Sequence, residues 1–327
     1  MVALATVSTT WGCRSQRPSA AIRVSVGPRL TMAATHLAAE KGLFRSEGLE
    51  LSFQETQTPL EALTLVTGGG VDVALFSFVP ALPNAVLRGA HARIVAGRDE
   101  TRPGCGDESA LYYRLARFPH GPEEANDWKG ARIALTSPNA AAEFHLDTLL
   151  DRLGIGRDAI HIVPLATDQA WAAAAGGTID VFFGSGRPNL LSEGLPAGVG
   201  RSDLLERTLG QLQYSYIIYG PKFLDAEHSQ ATAFLRAYLR GVRAFRAGET
   251  PQFFSEYAAR FRLDLEALKN ECRTNVEPNG EPRVDDLQRW ITWASQKGYL
   301  AGTVTAADVI DARFQQAAIR DVGRVGP

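Results

Sequence analysis

Over residues 21–26 apolar and polar positions alternate, the period of a half-buried strand. The period then becomes helical over residues 32–41, and Gly42 ends it. Alternation returns over 49–53. Thr58-Pro59-Leu60-Glu61 has the form of a capping box with proline in the first turn. A helix is therefore expected as far as Thr67, ahead of Gly68-Gly69-Gly70. Residues 71–76 are apolar except for Asp72, as in a buried strand. A short helix over 81–87 and a strand over 94–96 close this series.

The series then restarts. Strands are predicted over 131–135, 160–165 and 179–183. Helices are predicted over 137–153, opened by Ser137-Pro138-Asn139 and closed by Gly154, and over 168–175, closed by Gly176-Gly177. Thr58, Ala62, Gly69-Gly70, Val71-Asp72-Val73 and Ser77 line up with Thr167, Trp171, Gly176-Gly177, Ile179-Asp180-Val181 and Ser185. Each stretch is a helix, a glycine stop and a strand with an early aspartate, so two copies of one plan are expected. Alternating strands and helices imply mostly parallel sheets covered on both faces.

The last third differs. Residues 212–219 read as one more strand. Helices follow over 229–247, 251–262, 265–272, 284–297 and 306–316. Residues 111–115 leave the first lobe, and 214–219 bring the chain back. Two antiparallel crossings make a double hinge. The expected division is residues 22–115 with 216–327 as lobe one, and residues 116–215 as lobe two.

A family resemblance rests on an ordered set of residues. Leu37-Ala38-Ala39-Glu40-Lys41-Gly42-Leu43-Phe44, then Glu47-Gly48-Leu49, resembles the opening of ABC-transporter substrate-binding proteins of the aliphatic-sulfonate, nitrate and thiamine-pyrimidine group (SsuA/THI5-like). Gly70-Val71-Asp72-Val73-Ala74 and Asp127-Trp128-Lys129-Gly130-Ala131-Arg132-Ile133-Ala134 continue it. So do Leu149-Leu150, Leu153-Gly154-Ile155 and Ile179-Asp180-Val181. The resemblance spans about residues 22–220. It implies an α/β fold of the type II periplasmic-binding-protein kind, with two α/β lobes, a double hinge and a helical C-terminal segment. It also implies capture of a small molecule between the lobes and delivery to an ABC permease.

Composition narrows the function. The chain has 327 residues, 45% hydrophobic and 21% charged, enough apolar material for a sizeable core. Lys and Arg number 34 against 36 Asp and Glu, with no long basic run, so no nucleic-acid partner is expected. A monomer without cofactor or metal is expected. Residues 1–7 are apolar, and Gly12-Cys13 precedes a polar stretch. Residues 1–20 thus read either as a lipoprotein leader, with lipid on Cys13 and a periplasmic or membrane-tethered product, or as a disordered extension with a stray cysteine. Cys105 and Cys272 are left over. Export permits a disulfide, but two separate thiols are the expectation.

Ligands of open α/β sheets lie beyond the carboxyl ends of the strands. Those ends nominate Arg29 and Thr31, then Ser77 and Phe78, then Ser137, Asn139 and Ala140, then Ser185 and Arg187, with Tyr214 on the returning strand. Residues 137–141 open a helix, where free amides and the helix dipole favour an anion; Ser137 as a simple N-cap is the alternative, and both can hold because cap and ligand can use different amides. Arg29 and Arg187 are candidate counter-charges, since a guanidinium fork suits carboxylate, sulfonate or phosphate. Solvated loop arginines are the alternative. Phe76, Phe182, Phe183 and Tyr216 could add aromatic walls, but core packing is the default inside strands, and His36 and His145 are assigned to packed or surface positions.

Enzyme motifs are missing. The histidines show no HExxH spacing, Gly184-Ser185-Gly186 falls short of a nucleophile elbow, and residues 198–203 lack the third glycine of a dinucleotide loop. No catalytic residue is assigned. A cytosolic lyase or synthase on the same fold, of menaquinone-pathway or pyrimidine-synthase type, is the alternative function.

Overall fold

A computed structural model describes residues 21–105, 110–135, 140–165, 167–183, 195–225, 228–270 and 272–326. Cys13, Ser137, Asn139, Ser185 and Arg187 lie outside these residues. Twelve strands are described: β1 (Ile22–Val26), β2 (Leu51–Glu55), β3 (Val73–Ser77), β4 (Arg93–Gly97), β5 (Glu100–Thr101), β6 (Leu111–Arg114), β7 (Arg132–Leu135), β8 (His161–Pro164), β9 (Val181–Phe183), β10 (Val199–Ser202), β11 (Leu212–Gln213) and β12 (Ser215–Tyr219).

They form two five-stranded sheets, β2-β1-β3-β12-β4 and β10-β6-β9-β7-β8, and a two-stranded ribbon, β5-β11. In the first sheet β1 pairs in parallel with β2 and β3, and β12 runs antiparallel to β3 and β4. In the second, β7 pairs in parallel with β8 and β9, and β6 runs antiparallel to β9 and β10. The two sheets share one plan: three parallel strands, then one antiparallel strand laid down just after the chain has crossed over. The ribbon is the pair of antiparallel crossings, with Thr101 opposite Leu212 and Glu100 opposite Gln213.

The first crossing is earlier than the sequence reading has it. Leu111–Arg114 pairs with β9 and β10, so residues 111–115 sit in the second sheet rather than leaving the first. The chain passes over at Glu100–Thr101, two residues that leave no periodic signal. Residues 198–203 carry strand β10. Gly200 leaves room for the Tyr113 ring, since a Cβ there would lie 2.6 Å from its Cζ.

The repeated aspartate has a physical role. Asp72 accepts from the Arg23 amide at 2.9 Å, from Nε at 3.1 Å and from Nη2 at 2.7 Å, while Arg23 also reaches the Gly69 carbonyl at 2.9 Å. In the second lobe Asp180 accepts from the Arg132 amide at 2.9 Å, Nε at 2.9 Å and Nη2 at 3.0 Å, and Arg132 reaches the Gly177 carbonyl at 2.6 Å. Both carboxylates tie the start of a parallel strand to the arginine opening its neighbour and to the preceding glycine turn. Asp180 also takes Arg114 Nη2 at 2.7 Å.

Burial alone would raise the Asp180 carboxyl, but these arginine and amide donors outweigh it and hold the group at about 2. The folded state therefore binds fewer protons than the unfolded one as pH falls below the usual aspartate value. The contribution of Asp180, about 2 kcal/mol, is full above about pH 5 and is lost towards pH 2. Urea melts should show that fall, and Asp180→Asn should flatten it. An unchanged acid limb in the variant would remove Asp180 from the account.

Helices cover the sheets. His228–Arg246 packs against Ala33–Glu40 and Arg313–Val322 over the first sheet. One helix expected over 306–316 is two, Ala306–Val309 and Arg313–Val322, because Ile310 turns extended and bridges Ile94 beside β4. The helix Val284–Gln296 braces the second crossing. Asp286 accepts the Gln213 amide at 2.9 Å, and Trp290 Nε1 donates to the Gln213 carbonyl at 2.9 Å. Gly97 leaves room for the Gln213 side chain, whose Nε2 donates to the Glu281 carbonyl at 3.0 Å; a Cβ at residue 97 would fall 2.1 Å from that Nε2 and 2.5 Å from the Glu281 carbonyl oxygen.

Cys105 and Cys272 are joined by a disulfide across 167 residues, with Cα atoms 5.2 Å apart. This overturns the expectation of two separate thiols. The helix starting at Leu265 stops at Lys269 rather than continuing to Cys272, which frees the segment to reach Cys105.

Candidate functional site

A cavity of about 200 Å³ lies where strand ends of both sheets meet the crossings. From the first sheet come Gly27, Arg29, Thr31 and Met32 beyond β1, residues 56–59 beyond β2, and Ser77, Phe78 and Val79 at the end of β3. From the second come residues 140–142, His145 and Phe183. Thr101, Tyr214 and Ser215, from the crossings, complete the lining. The structure thus places Arg29, Thr31, Ser77, Phe78, Ala140 and Tyr214, six of the residues nominated from strand ends, around one space.

Each wall has a local cause. Arg29 and Thr31 belong to a turn in which the Arg29 amide donates to Gly27 and the Met32 amide donates to Arg29. Thr58 caps the helix Pro59–Thr67, its side chain accepting from the Glu61 amide, while Glu61 reaches back to the Gln57 amide at 2.8 Å. The helix Ala141–Leu153 begins with Ala140 at the cap and no side-chain cap. The first amides of a helix have no acceptor one turn back; the Glu143 amide donates to the Ala140 carbonyl at 3.0 Å, and among the described residues no side chain caps the Ala141 and Ala142 amides, whose helix end faces the cavity.

The same helix is clamped from its far side. Asp147 accepts from Trp293 Nε1 at 2.8 Å and pairs with Lys297 at 2.9 Å. Tyr299 Oη donates to Glu143 at 3.1 Å, and Arg157 pairs with Glu143 at 2.9 Å. Phe144 packs on Trp290 with ring centres 3.9 Å apart. The second lobe's cavity wall is thereby fixed against the C-terminal helix that braces the crossing.

Behind the first-lobe wall is a buried ion pair. Arg98 and Asp99, 1% and 0% exposed, lie 3.2 Å apart. Arg98 donates to the Ser215 hydroxyl at 3.1 Å and to the Thr31 carbonyl, so it ties two lining residues to the hinge. Burial pushes the Asp99 carboxyl up, and the Arg98 guanidinium opposes that rise.

The chemistry of the lining is one-sided. Among the described residues it holds one formally charged side chain, exposed Arg29, and no carboxylate. Hydroxyls and first-turn amides add donors, and Phe76, Phe78, Phe183 and Tyr214 supply apolar wall. Phe76 and Phe183, assigned to the core from sequence, therefore reach the cavity. His145, assigned to packing, lines it as well. Its spacing from Ala141 by one helical turn is the signal that would have found it. Among the described residues no group of three His, Cys, Asp or Glu side chains could hold a metal ion.

Two α/β lobes joined by paired crossings, with a cavity at the strand ends, define the type II periplasmic-binding-protein fold. Solved structures agree. The alkanesulfonate-binding protein SsuA from Xanthomonas axonopodis pv. citri, bound to MOPS, is similar with TM-score 0.66 and 16% identity, over 90% of this chain and 99% of that one. The nitrate-binding protein NrtA from Synechocystis PCC 6803 gives 0.67 and 13%, over 93% and 89%. The ligand-binding component of an ABC-type import system from Staphylococcus aureus gives 0.68 and 12%, over 91% and 98%. At these identities the likeness is one of fold. Comparison with curated proteins gives no sequence match. The chain belongs to the NMT1/THI5-like family, whose model matches residues 31–97 and 116–249.

Proposed function

We propose that this protein is the substrate-binding component of an ABC importer and not an enzyme. It captures a small organic anion or heterocycle, sulfonate-, nitrate- or pyrimidine-like, between its lobes and delivers it to a membrane permease. The observation that carries this is the cavity: both lobes and both crossings line it, and its described lining pairs one arginine and the first residues of the helix Ala141–Leu153 with no carboxylate. A space of about 200 Å³ suits a ligand smaller than a drug-sized molecule. Closure of two lobes about a hinge is the mechanism such an arrangement serves. The solved proteins it resembles include binders of alkanesulfonate and nitrate.

The reading places the protein outside the cytoplasm as a monomer, with Cys13 as the site of a lipid anchor. The Cys105–Cys272 disulfide supports export over the cytosolic lyase or synthase alternative, because such bonds persist in oxidising compartments. Ser137, Asn139, Ser185 and Arg187 are proposed as further ligand contacts beside the six described ones.

Thermal shift and calorimetry against sulfonates, nitrate, pyrimidines and aromatic acids test the proposal. At least one is expected to bind. Arg29→Ala should weaken an anionic ligand by about 1–3 kcal/mol, the range for a charged hydrogen bond. No response to any compound, or turnover of one, would count against the binding reading.

A further inference from the structure

We propose that His145 is a specificity-determining contact of the cavity, its Nε2 held for a hydrogen-bonding group that the ligand carries in addition to its charge. This rests on the cavity being the ligand site. His145 is 7% exposed and lines the cavity, yet its Nε2 has no hydrogen-bond partner among the described residues. A buried polar atom left unpartnered costs stability, so a packing role alone does not account for a histidine here. The ring lies beside Phe144 and Trp290, with centres 6.2 and 6.0 Å away, in surroundings that a phenylalanine would fit.

Burial pushes the imidazole down to about 4, so the ring is neutral near pH 7. It then presents one N–H or one lone pair at Nε2 rather than a second positive charge. Arg29, at the exposed rim, and the first turn of the helix supply the attraction for an anion. His145 adds a neutral hydrogen bond from within. Sites built to hydrogen-bond a ligand group reject analogues that lack it, because the buried partner is then stranded. The ligand class is thus a small organic anion bearing a hydroxyl, amine or ring nitrogen.

The test uses matched probes: ethanesulfonate with 2-hydroxyethanesulfonate, and benzoate with 3-hydroxybenzoate and nicotinate. Wild-type protein is expected to prefer the members with the extra polar group by about tenfold. His145→Phe should erase that preference, and His145→Gln should keep part of it. Unliganded His145→Phe should melt at the same temperature as wild type or higher, since a stranded polar atom is gone. Arg29→Ala should instead weaken both members of each pair alike.

A His145→Phe protein that keeps the preference overturns the inference while leaving the cavity reading intact. So does one that loses stability. If no probe binds wild-type protein, the inference falls, while the cavity reading falls only if nitrate, pyrimidines and the rest of the wider panel fail to bind as well.

Discussion

Replacing Arg98 with methionine is expected to destabilise the protein by about 3–5 kcal/mol at pH 7, the cost of stripping one partner from a buried ion pair. Asp99 is fully buried, with the Arg98 guanidinium 3.2 Å from its carboxylate. The adjacent guanidinium is the larger offset to its burial, with the Ser215 hydroxyl adding to it. Without it the folded carboxyl rises further above the unfolded aspartate value. The folded state then binds more protons than the unfolded state at pH values between the two. Stability of Arg98→Met should therefore fall as pH rises, with the deficit smallest near pH 4 and largest at neutral pH. Urea melts across that range measure it. Arg98→Met with Asp99→Asn should recover part of the loss, because the stranded charge is gone. A cost under about 1 kcal/mol, or one independent of pH, would show that the pair does not work this way. The single variant should also weaken ligand capture, since Arg98 positions the Thr31 carbonyl and the Ser215 hydroxyl at the cavity.

Arg98 also shows where sequence reading stops. The periodic elements were legible, and so was their repetition, because Asp72 and Asp180 each sit early in a strand behind a glycine stop and each do the same job. The crossings were not, since β5 and β11 are two residues long and set by tertiary pairing. The alternating run at residues 111–115 is a true strand, but nothing local says which sheet it joins. Arg29, Thr31, Ser77, Phe78, Ala140 and Tyr214 were reachable because strand ends face the cleft in this kind of sheet. Phe76, Phe183 and His145 were missed for one reason: apolar or aromatic surroundings read as core, and burial against protein looks the same in sequence as burial against a cavity. Arg98 was passed over because an arginine directly before an acid looks like a solvated pair.

The disulfide was invisible for a related reason: two cysteines 167 residues apart carry no pairing signal. Breaking it, by reductant or by the double change Cys105→Ser and Cys272→Ser, is expected to cost about 2–5 kcal/mol. The segments it joins are already held side by side, with the Glu100 amide donating to Asn275 at 2.9 Å and Asp99 bridged to Val276. The folded protein therefore changes little. The unfolded chain gains the freedom of a very long loop, which encloses the second sheet, the returning crossing and the helix His228–Arg246. For a chain of this length that loss corresponds to a melting point lower by roughly 3–7 °C. Identical melts with and without reductant would show that the thiols are not linked in solution. The same bond separates the two functional readings in the cell. An exported binder should resist thiol labelling at Cys105 and Cys272 until it is reduced, whereas a cytosolic enzyme, kept reduced, should label at once.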